Sequence, residues 1–142
     1  MVLNRHKRVL YYDCTNYYFE IEEADDFRKY GHSKENRPNP IVQMGLFMDA
    51  DGIPLTFSLF NGNENEQPSM KPLEKKILSD FGMTKFIVCT DAGLSSTSNR
   101  VFNNTPNRKF VTTQAIKKLK GYLKNYCLDE DGWHLIGDKK EY

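Results

Sequence analysis

Short apolar runs, or strict alternation of apolar with polar residues, recur five times along the chain and predict five β-strands. The first run, RVLYYD at 8–13, continues into a stretch that alternates as far as residue 22. The fourth, KFIVCTD at 85–91, is short, continuous and β-branched, which is typical of a buried strand. The others are IVQMGLFMD (41–49), IPLTFSLF (53–60) and KFVTTQAI (109–116).

The second and third strands are expected to form a hairpin. Asp51 and Gly52 lie between them, and an Asp-Gly pair flanked by strands favours a tight turn. Because Pro54 has no N–H to donate to a neighbouring strand, the third strand should lie at an edge of the sheet.

Two segments predict helices. Residues 67–81 carry apolar side chains at helical spacing, with prolines that fit only the first turns and Gly82 at the stop. The apolar positions are Met70, Leu73, Ile77, Leu78 and Phe81. Two acids on this helix, Glu74 and Asp80, are expected to be solvated. A second helix is expected to begin at Ser95 or Ser96, since serine is a favoured N-cap residue.

The resulting order is β-β-β-α-β-α-β. Strands joined through a helix require right-handed crossovers and therefore run parallel, whereas the first three strands form an antiparallel meander. The pattern predicts an α/β fold with one mixed sheet flanked by helices, in a single domain over 1–142.

Composition narrows the class of protein. The chain has 142 residues, enough for a hydrophobic core, and a formal net charge of +1, so no global basic field marks a nucleic-acid-binding protein. Three scattered cysteines favour a reducing compartment, and a cytoplasmic location is expected. Neither a signal peptide nor an apolar run near the ~20 residues of a membrane span is found, so no membrane partner is expected.

Two of the predicted strands end in a carboxylate, at Asp13 and Asp91. An aspartate at a strand end is more often a turn or cap residue than a ligand, so neither alone indicates a function. Their surroundings add a resemblance: YYDCTNYYFE (11–20), GIPLTFSLFNGNENE (52–66), and IVCTDAGLSS (87–96) with the following Asn99. These motifs resemble the catalytic core of bacterial insertion-sequence transposases of the DDE type, in particular the IS4-like group and its IS1634-type branch.

The resemblance implies a ribonuclease H-like fold with strand order 3-2-1-4-5, strands 1 to 3 antiparallel and strands 1, 4 and 5 parallel. It implies that Asp13 and Asp91 are the first and second catalytic acids and metal ligands. It further implies DNA transposition, with transposon ends and target DNA as partners and a possible homodimer in the full-length protein.

The family's third acid is a glutamate within a Tyr-Arg-Glu-Lys motif, and this sequence contains no such motif. Glu141 is followed only by Tyr142, and neither Glu130 nor Asp131 lies in a similar setting. The expectation is a truncated core that lacks the C-terminal catalytic glutamate region and is inactive by itself.

Paired carboxylates have a chemical use. Two such anions repel each other unless a cation neutralises them, and Mg²⁺ or Mn²⁺ prefers oxygen ligands. Metal ions at such a site promote in-line phosphoryl displacement, first by water and then by the freed 3′ hydroxyl. With Asp13 and Asp91 as the only acids, weak binding of one ion is expected.

A basic stretch, KKLKGYLK at 117–124, is a candidate DNA contact through Lys117, Lys118, Lys120 and Lys124. The alternative is the solvated face of a helix. For the whole chain, one alternative function is a non-catalytic DNA-binding remnant. Another is a fragment of an actin- or acetate-kinase-like ATPase, which needs a glycine-rich phosphate loop that DCTNYYFE (13–20) lacks.

Overall fold

A computed structural model of the chain describes residues 8–32 and 38–129. Within them the strands are β1 (Val9–Tyr18), β2 (Ile41–Asp49), β3 (Pro54–Asn61), β4 (Phe86–Thr90) and β5 (Arg108–Thr112). The helices are α1 (Met70–Asp80), α2 (Thr97–Phe102) and α3 (Gly121–Leu128), and 3-10 turns at Gln67–Ser69 and Ile116–Lys118 precede α1 and α3. Among the described residues, no helix has the length and apolar character needed to cross a bilayer.

The strands form one five-stranded sheet in the order β3-β2-β1-β4-β5. The β1–β2 and β2–β3 pairs are antiparallel, and the β1–β4 and β4–β5 pairs are parallel. The predicted α/β class, strand order and strand directions are therefore confirmed. Pro54 is the first residue of β3, which is an edge strand as its missing N–H requires.

Local chemistry explains where the elements turn and begin. Gly52 has a φ of 76°, a left-handed conformation that suits the hairpin turn, and the carboxylate of Asp49 accepts the backbone N–H groups of Asp51 and Ile53. Gly82, with a φ of 60°, follows the end of α1. Ser96 caps α2 by accepting the backbone N–H of Asn99 at 3.1 Å, as expected from the sequence.

Among the described residues, the main hydrophobic cluster lies on one face of the sheet. Alternate residues of the central strands pack there against one side of α1, and the buried set includes Leu10, Tyr12, Cys14, Phe47, Val88, Met70, Leu73 and Ile77. The Tyr12 ring crosses Gly45 closely: a Cβ at Gly45 would lie 2.1 Å from the tyrosine hydroxyl. Glycine at this position therefore allows the aromatic ring to pack flat on the sheet.

The other face of the sheet, which we call the open face, carries the intervening residues. It is defined by Tyr11, Asp13, Phe57, Leu59, Ile87 and Val111, and the apolar members are between 37% and 60% exposed. The described parts of α1 and α2 pack on the core face instead.

Glu74 corrects one expectation. It was expected to be solvated but is fully buried, and its Oε2 accepts a hydrogen bond of 2.9 Å from the side-chain amide of Asn103. The Nε of Arg108 lies 3.8 Å from Glu74 Oε1. The reason lies in the helical period, since Glu74 follows Met70 by four residues and precedes Ile77 by three, which places it on the buried side of α1. Asp80, at the end of α1, is exposed as expected.

Candidate functional site

Asp13 was expected at the end of the first strand, but β1 continues to Tyr18 because the alternating residues after Asp13 extend the same strand, so Asp13 lies in its middle, on the open face. Its neighbours Tyr12 and Cys14 are buried on the core face, whereas Asp13 itself is exposed. One carboxylate oxygen, Oδ1, accepts the backbone N–H of Cys14 at 2.8 Å. The carboxylate therefore has a fixed orientation while its other oxygen stays accessible.

Asp91 is the first residue after β4, and its carboxylate organises the loop that follows. Its Oδ1 accepts the backbone N–H of Leu94 at 3.0 Å, and Leu94 is buried in the core. Its backbone carbonyl accepts the hydroxyl of Thr112 from the neighbouring strand at 3.0 Å. Asp91 itself is exposed, so the two hydrogen bonds hold the loop in place while the Asp91 side chain faces solvent.

The register of β1 and β4 relates the positions of the two acids. Val9, Leu10 and Tyr11 pair in parallel with Ile87, Val88 and Cys89, and the observed pairing ends there. Two further residues in the same register would place Asp13 beside Asp91, at a strand separation of about 4.8 Å. Since Phe86 and Val88 point to the core, the alternation of β4 assigns Asp91 to the open face, which Asp13 shares.

Neither carboxylate forms an ion pair within the described parts of the chain, and each uses one oxygen for a single backbone hydrogen bond. Two exposed, unpaired anions side by side create a local negative potential that a cation would relieve.

Side chains from the 3-10 turn before α1 and from α2 hold the Asp91 loop in place. The Asn99 amide, which is 4% exposed, donates to the carbonyl oxygens of Gln67 at 3.0 Å and Leu94 at 2.9 Å. The Gln67 amide in turn donates to the Gly93 carbonyl at 2.9 Å. The loop between β4 and α2 is thus tied to the first turn before α1, and Asn99 and Gln67 are positioning residues for Asp91. Sequence reasoning noticed Asn99 only as part of the resemblance and missed Gln67 and Thr112.

The two threonines next to the acids differ in their placement. Thr90 lies on the core face, where its hydroxyl contacts that of Thr112 at 3.3 Å, and it reaches Asp91 only through the hydroxyl of Thr112. Thr15 shares the open face with Asp13, two residues further along β1.

The cysteines near the acids do not supply a nucleophile. Burial raises the pKa of the Cys14 thiol, and partial burial likewise raises the pKa of the Cys89 thiol. Burial also raises the pKa of Tyr12, whose hydroxyl lies 2.6 Å from that of Ser69. These groups therefore remain protonated near neutral pH, and the free cysteines Cys14, Cys89 and Cys127 form no disulfide.

The donor set at the two acids fits a hard divalent cation. Mg²⁺ commonly keeps several waters and is held by one or two carboxylates together with substrate phosphates. Within 8–32 and 38–129, no group of three or more His, Cys, Asp or Glu side chains is arranged to hold a metal. A cation between Asp13 and Asp91 would therefore complete its coordination with water or phosphate oxygens.

The lysines of the basic stretch lie apart from the core. Lys117 and Lys118 belong to the 3-10 turn, Lys120 is the residue before α3, and Lys124 lies within α3; all four are exposed. Every residue of α3 is exposed, including Tyr122 and Tyr126 at 68% and 79%. Glu130, Asp131 and Glu141, weighed as third acids, lie outside the described residues.

Comparison with models of known protein families, with curated proteins and with solved structures gave no match. The function is therefore argued from the residues and their arrangement.

Proposed function

We propose that this chain carries the two-aspartate part of a ribonuclease H-like, DDE-type transposase core that performs metal-dependent phosphoryl transfer on DNA. The observation that supports the proposal is the parallel pairing of β1 with β4, whose last pair, Tyr11 with Cys89, lies two residues before Asp13 and Asp91. Both acids are exposed, and both are free of ion pairs among the described residues. The observed strand order also agrees with the order that the sequence resemblance implies.

In this proposal Asp13 and Asp91 would be the protein's ligands to Mg²⁺ or Mn²⁺. The bound cation would supply charge neutralisation at the scissile phosphate and lower the pKa of a coordinated water. The protein's own part is positioning: the N–H of Cys14 orients Asp13, and the N–H of Leu94 orients Asp91. In cleavage, a water oxygen bonds to phosphorus, the bond from phosphorus to the 3′ oxygen breaks, and that oxygen leaves as a hydroxyl. In strand transfer, the oxygen of this hydroxyl bonds to a phosphorus of the target DNA, the bond from that phosphorus to its own 3′ oxygen breaks, and the released oxygen takes up the proton and leaves as a hydroxyl. No covalent link to the protein is formed.

The missing Tyr-Arg-Glu-Lys motif limits what these 142 residues do in the proposal. We assign cation binding to Asp13 and Asp91, and we assign efficient cleavage to a form of the protein that includes the third acid. A binding module without catalysis is the second candidate, and it is favoured by the presence of only two acids at the described site.

The test is a titration with Mn²⁺ followed by the paramagnetic signal of the free ion. We expect the wild-type chain to bind one Mn²⁺, and Asp13→Asn and Asp91→Asn each to weaken binding by tenfold or more, because each removes one of two charged ligands. Asp80→Asn, which removes an exposed acid at the end of α1, is the matched control and should bind as the wild type does. Equal affinity of the wild-type, Asp13→Asn and Asp80→Asn proteins would refute the proposal.

A further inference from the structure

A groove lies between the start of α1 and the start of α2, on the side of the Asp91 loop away from the open face. Its volume is about 450 Å³. It is lined by the apolar rings of Pro68 and Pro72 and by polar side chains that include Lys71, Lys75, Asn65, Ser96, Ser98 and Asn99. Among its described lining residues the charged side chains are the two lysines, which favour an anionic ligand.

The lysines are arranged along one side of the groove. Lys71 and Lys75 are four residues apart on α1, so they lie on the same side of the helix, with Cβ atoms about 5–6 Å apart. The Lys71 ammonium contacts the hydroxyl of Ser98 and lies 5.8 Å from the centre of the Phe102 ring. Lys71 is therefore held between the two helices, whereas Lys75 is exposed and free to move toward a ligand.

The groove adjoins the candidate site. Gln67 also lines it, and the Gln67 amide donates to the carbonyl of Gly93, two residues after Asp91. Asn99, another lining residue, fastens the same loop through Leu94. A chain-like ligand lying in the groove would consequently run past the edge of the sheet at which Asp91 stands.

We infer that this groove binds the sugar-phosphate backbone of a DNA strand and guides it to the Asp13–Asp91 edge, an inference that rests on the proposed function. Lysine, serine, asparagine and glutamine side chains are the groups with which proteins contact DNA phosphates without reading sequence. Two lysines one helical turn apart span about two successive phosphates, given a rise of about 3.4 Å per nucleotide along one strand.

An acidic peptide is the competing ligand, and the composition of the groove favours DNA. Carboxylates are bound most specifically by the planar, two-pronged guanidinium of arginine, whereas lysine acts as a point charge suited to phosphate. Both cations of the groove are lysines.

The experiment measures binding of a fluorescent duplex of about 30 base pairs to the whole chain in EDTA, over a range of salt concentrations. Neutralising one phosphate changes the slope of log K against log salt by about 0.9. We expect Lys75→Gln to reduce the slope by about 1 and Lys71→Gln/Lys75→Gln by about 2, with affinity lowered roughly tenfold or more at low salt. Lys76→Gln is the matched control, since Lys76 is exposed on α1 but does not line the groove, and its slope should equal that of the wild type.

Several results would overturn the inference. They are an absence of DNA binding by the wild-type chain, equal slopes for Lys75→Gln and the wild type, an equal loss for Lys76→Gln, and displacement of the duplex by a glutamate-rich peptide as readily as by unlabelled DNA. The double variant could unfold because Lys71 contacts Ser98, and a thermal melt would reveal this. In that case the salt dependence of the Lys75→Gln variant, whose substitution is at an exposed position, tests the inference. Because DNA binding is measured without metal, a negative result would refute DNA binding by the groove and would leave the result of the Mn²⁺ titration unchanged.

Discussion

Replacing the buried Glu74 by glutamine is expected to make the folded protein less sensitive to rising pH. Burial raises the pKa of Glu74 above its ordinary value of 4.5, and the hydrogen bond from Asn103 and the charge of Arg108 oppose that shift only in part. A group with a raised pKa in the folded state contributes stability below its unfolded pKa and loses that contribution as the pH rises through the folded pKa. The wild-type protein should therefore lose stability relative to Glu74→Gln as the pH rises above the ordinary value of 4.5 and through the raised pKa of Glu74.

The geometry explains why burial outweighs the ion pair. Unit charges 3.8 Å apart attract by about 4 kcal/mol at an effective dielectric constant of about 20, which is close to the several kcal/mol that burying one carboxylate costs. The contact is too long for a hydrogen bond, and both Glu74 Oε1 and Arg108 Nε lack a hydrogen-bond partner in the described structure. The attraction is thus not reinforced by the second, direct hydrogen bond of a two-pronged pair.

Urea unfolding of both proteins at pH 4 and pH 8 measures the effect. We expect nearly equal free energies of unfolding at pH 4 and an advantage of about 1 kcal/mol for Glu74→Gln at pH 8, since an incompletely bonded buried group costs about 1–3 kcal/mol. Glu74→Ala is the control, because it removes the acceptor for Asn103 and should be less stable than Glu74→Gln by about 2–3 kcal/mol at both pH values. A wild-type protein that gains stability relative to Glu74→Gln as the pH rises would refute the reasoning.

Two further substitutions test the packing and the Asp91 loop. Gly45→Ala should lower the free energy of unfolding by about 1–3 kcal/mol, because the new Cβ would meet the Tyr12 hydroxyl. Gly121→Ala is the control and should be neutral or slightly stabilising, since a Cβ there would lie in open space. Equal effects of the two substitutions in urea unfolding would argue against close packing at Gly45. Asn99→Ala should cost about 1–3 kcal/mol and weaken Mn²⁺ binding, because two buried hydrogen bonds to loop carbonyls are lost. Asn104→Ala, at an exposed position after α2, should change neither quantity, and an Asn99→Ala protein with wild-type Mn²⁺ affinity would show that the tether does not position Asp91.

The features that the sequence predicted well are those set by local chemistry. The Asp51-Gly52 turn, the edge position of Pro54 and the Ser96 cap each follow from what one residue can do with its own backbone, and all are found. Periodicity also predicted the extent of α1 to within a few residues, although its first turn is a 3-10 turn because prolines occupy that region.

Features that depend on contacts between distant segments were not predictable in the same way. The hydrogen bonds from Gln67 to Gly93 and from Thr112 to Asp91 join residues 26 and 21 positions apart, and no local pattern indicates them. Glu74 is different, since its helical spacing relative to Met70 and Ile77 did indicate burial. Its charge led to the wrong expectation, because a buried carboxylate requires partners that only the fold reveals.

The loop between β4 and α2 connects the two proposals physically. Asp91 at its start belongs to the open face, whereas Ser96 at its end lines the groove on the helix side. A DNA strand that uses both must therefore cross the edge of the sheet over Gly93, where an added Cβ would lie only 3.3 Å from the Asp91 carboxylate. The absence of a side chain at Gly93 keeps this crossing open and leaves the carboxylate accessible from above. Under the two proposals, the loop both supports Asp91 and forms the path by which a DNA strand would reach it.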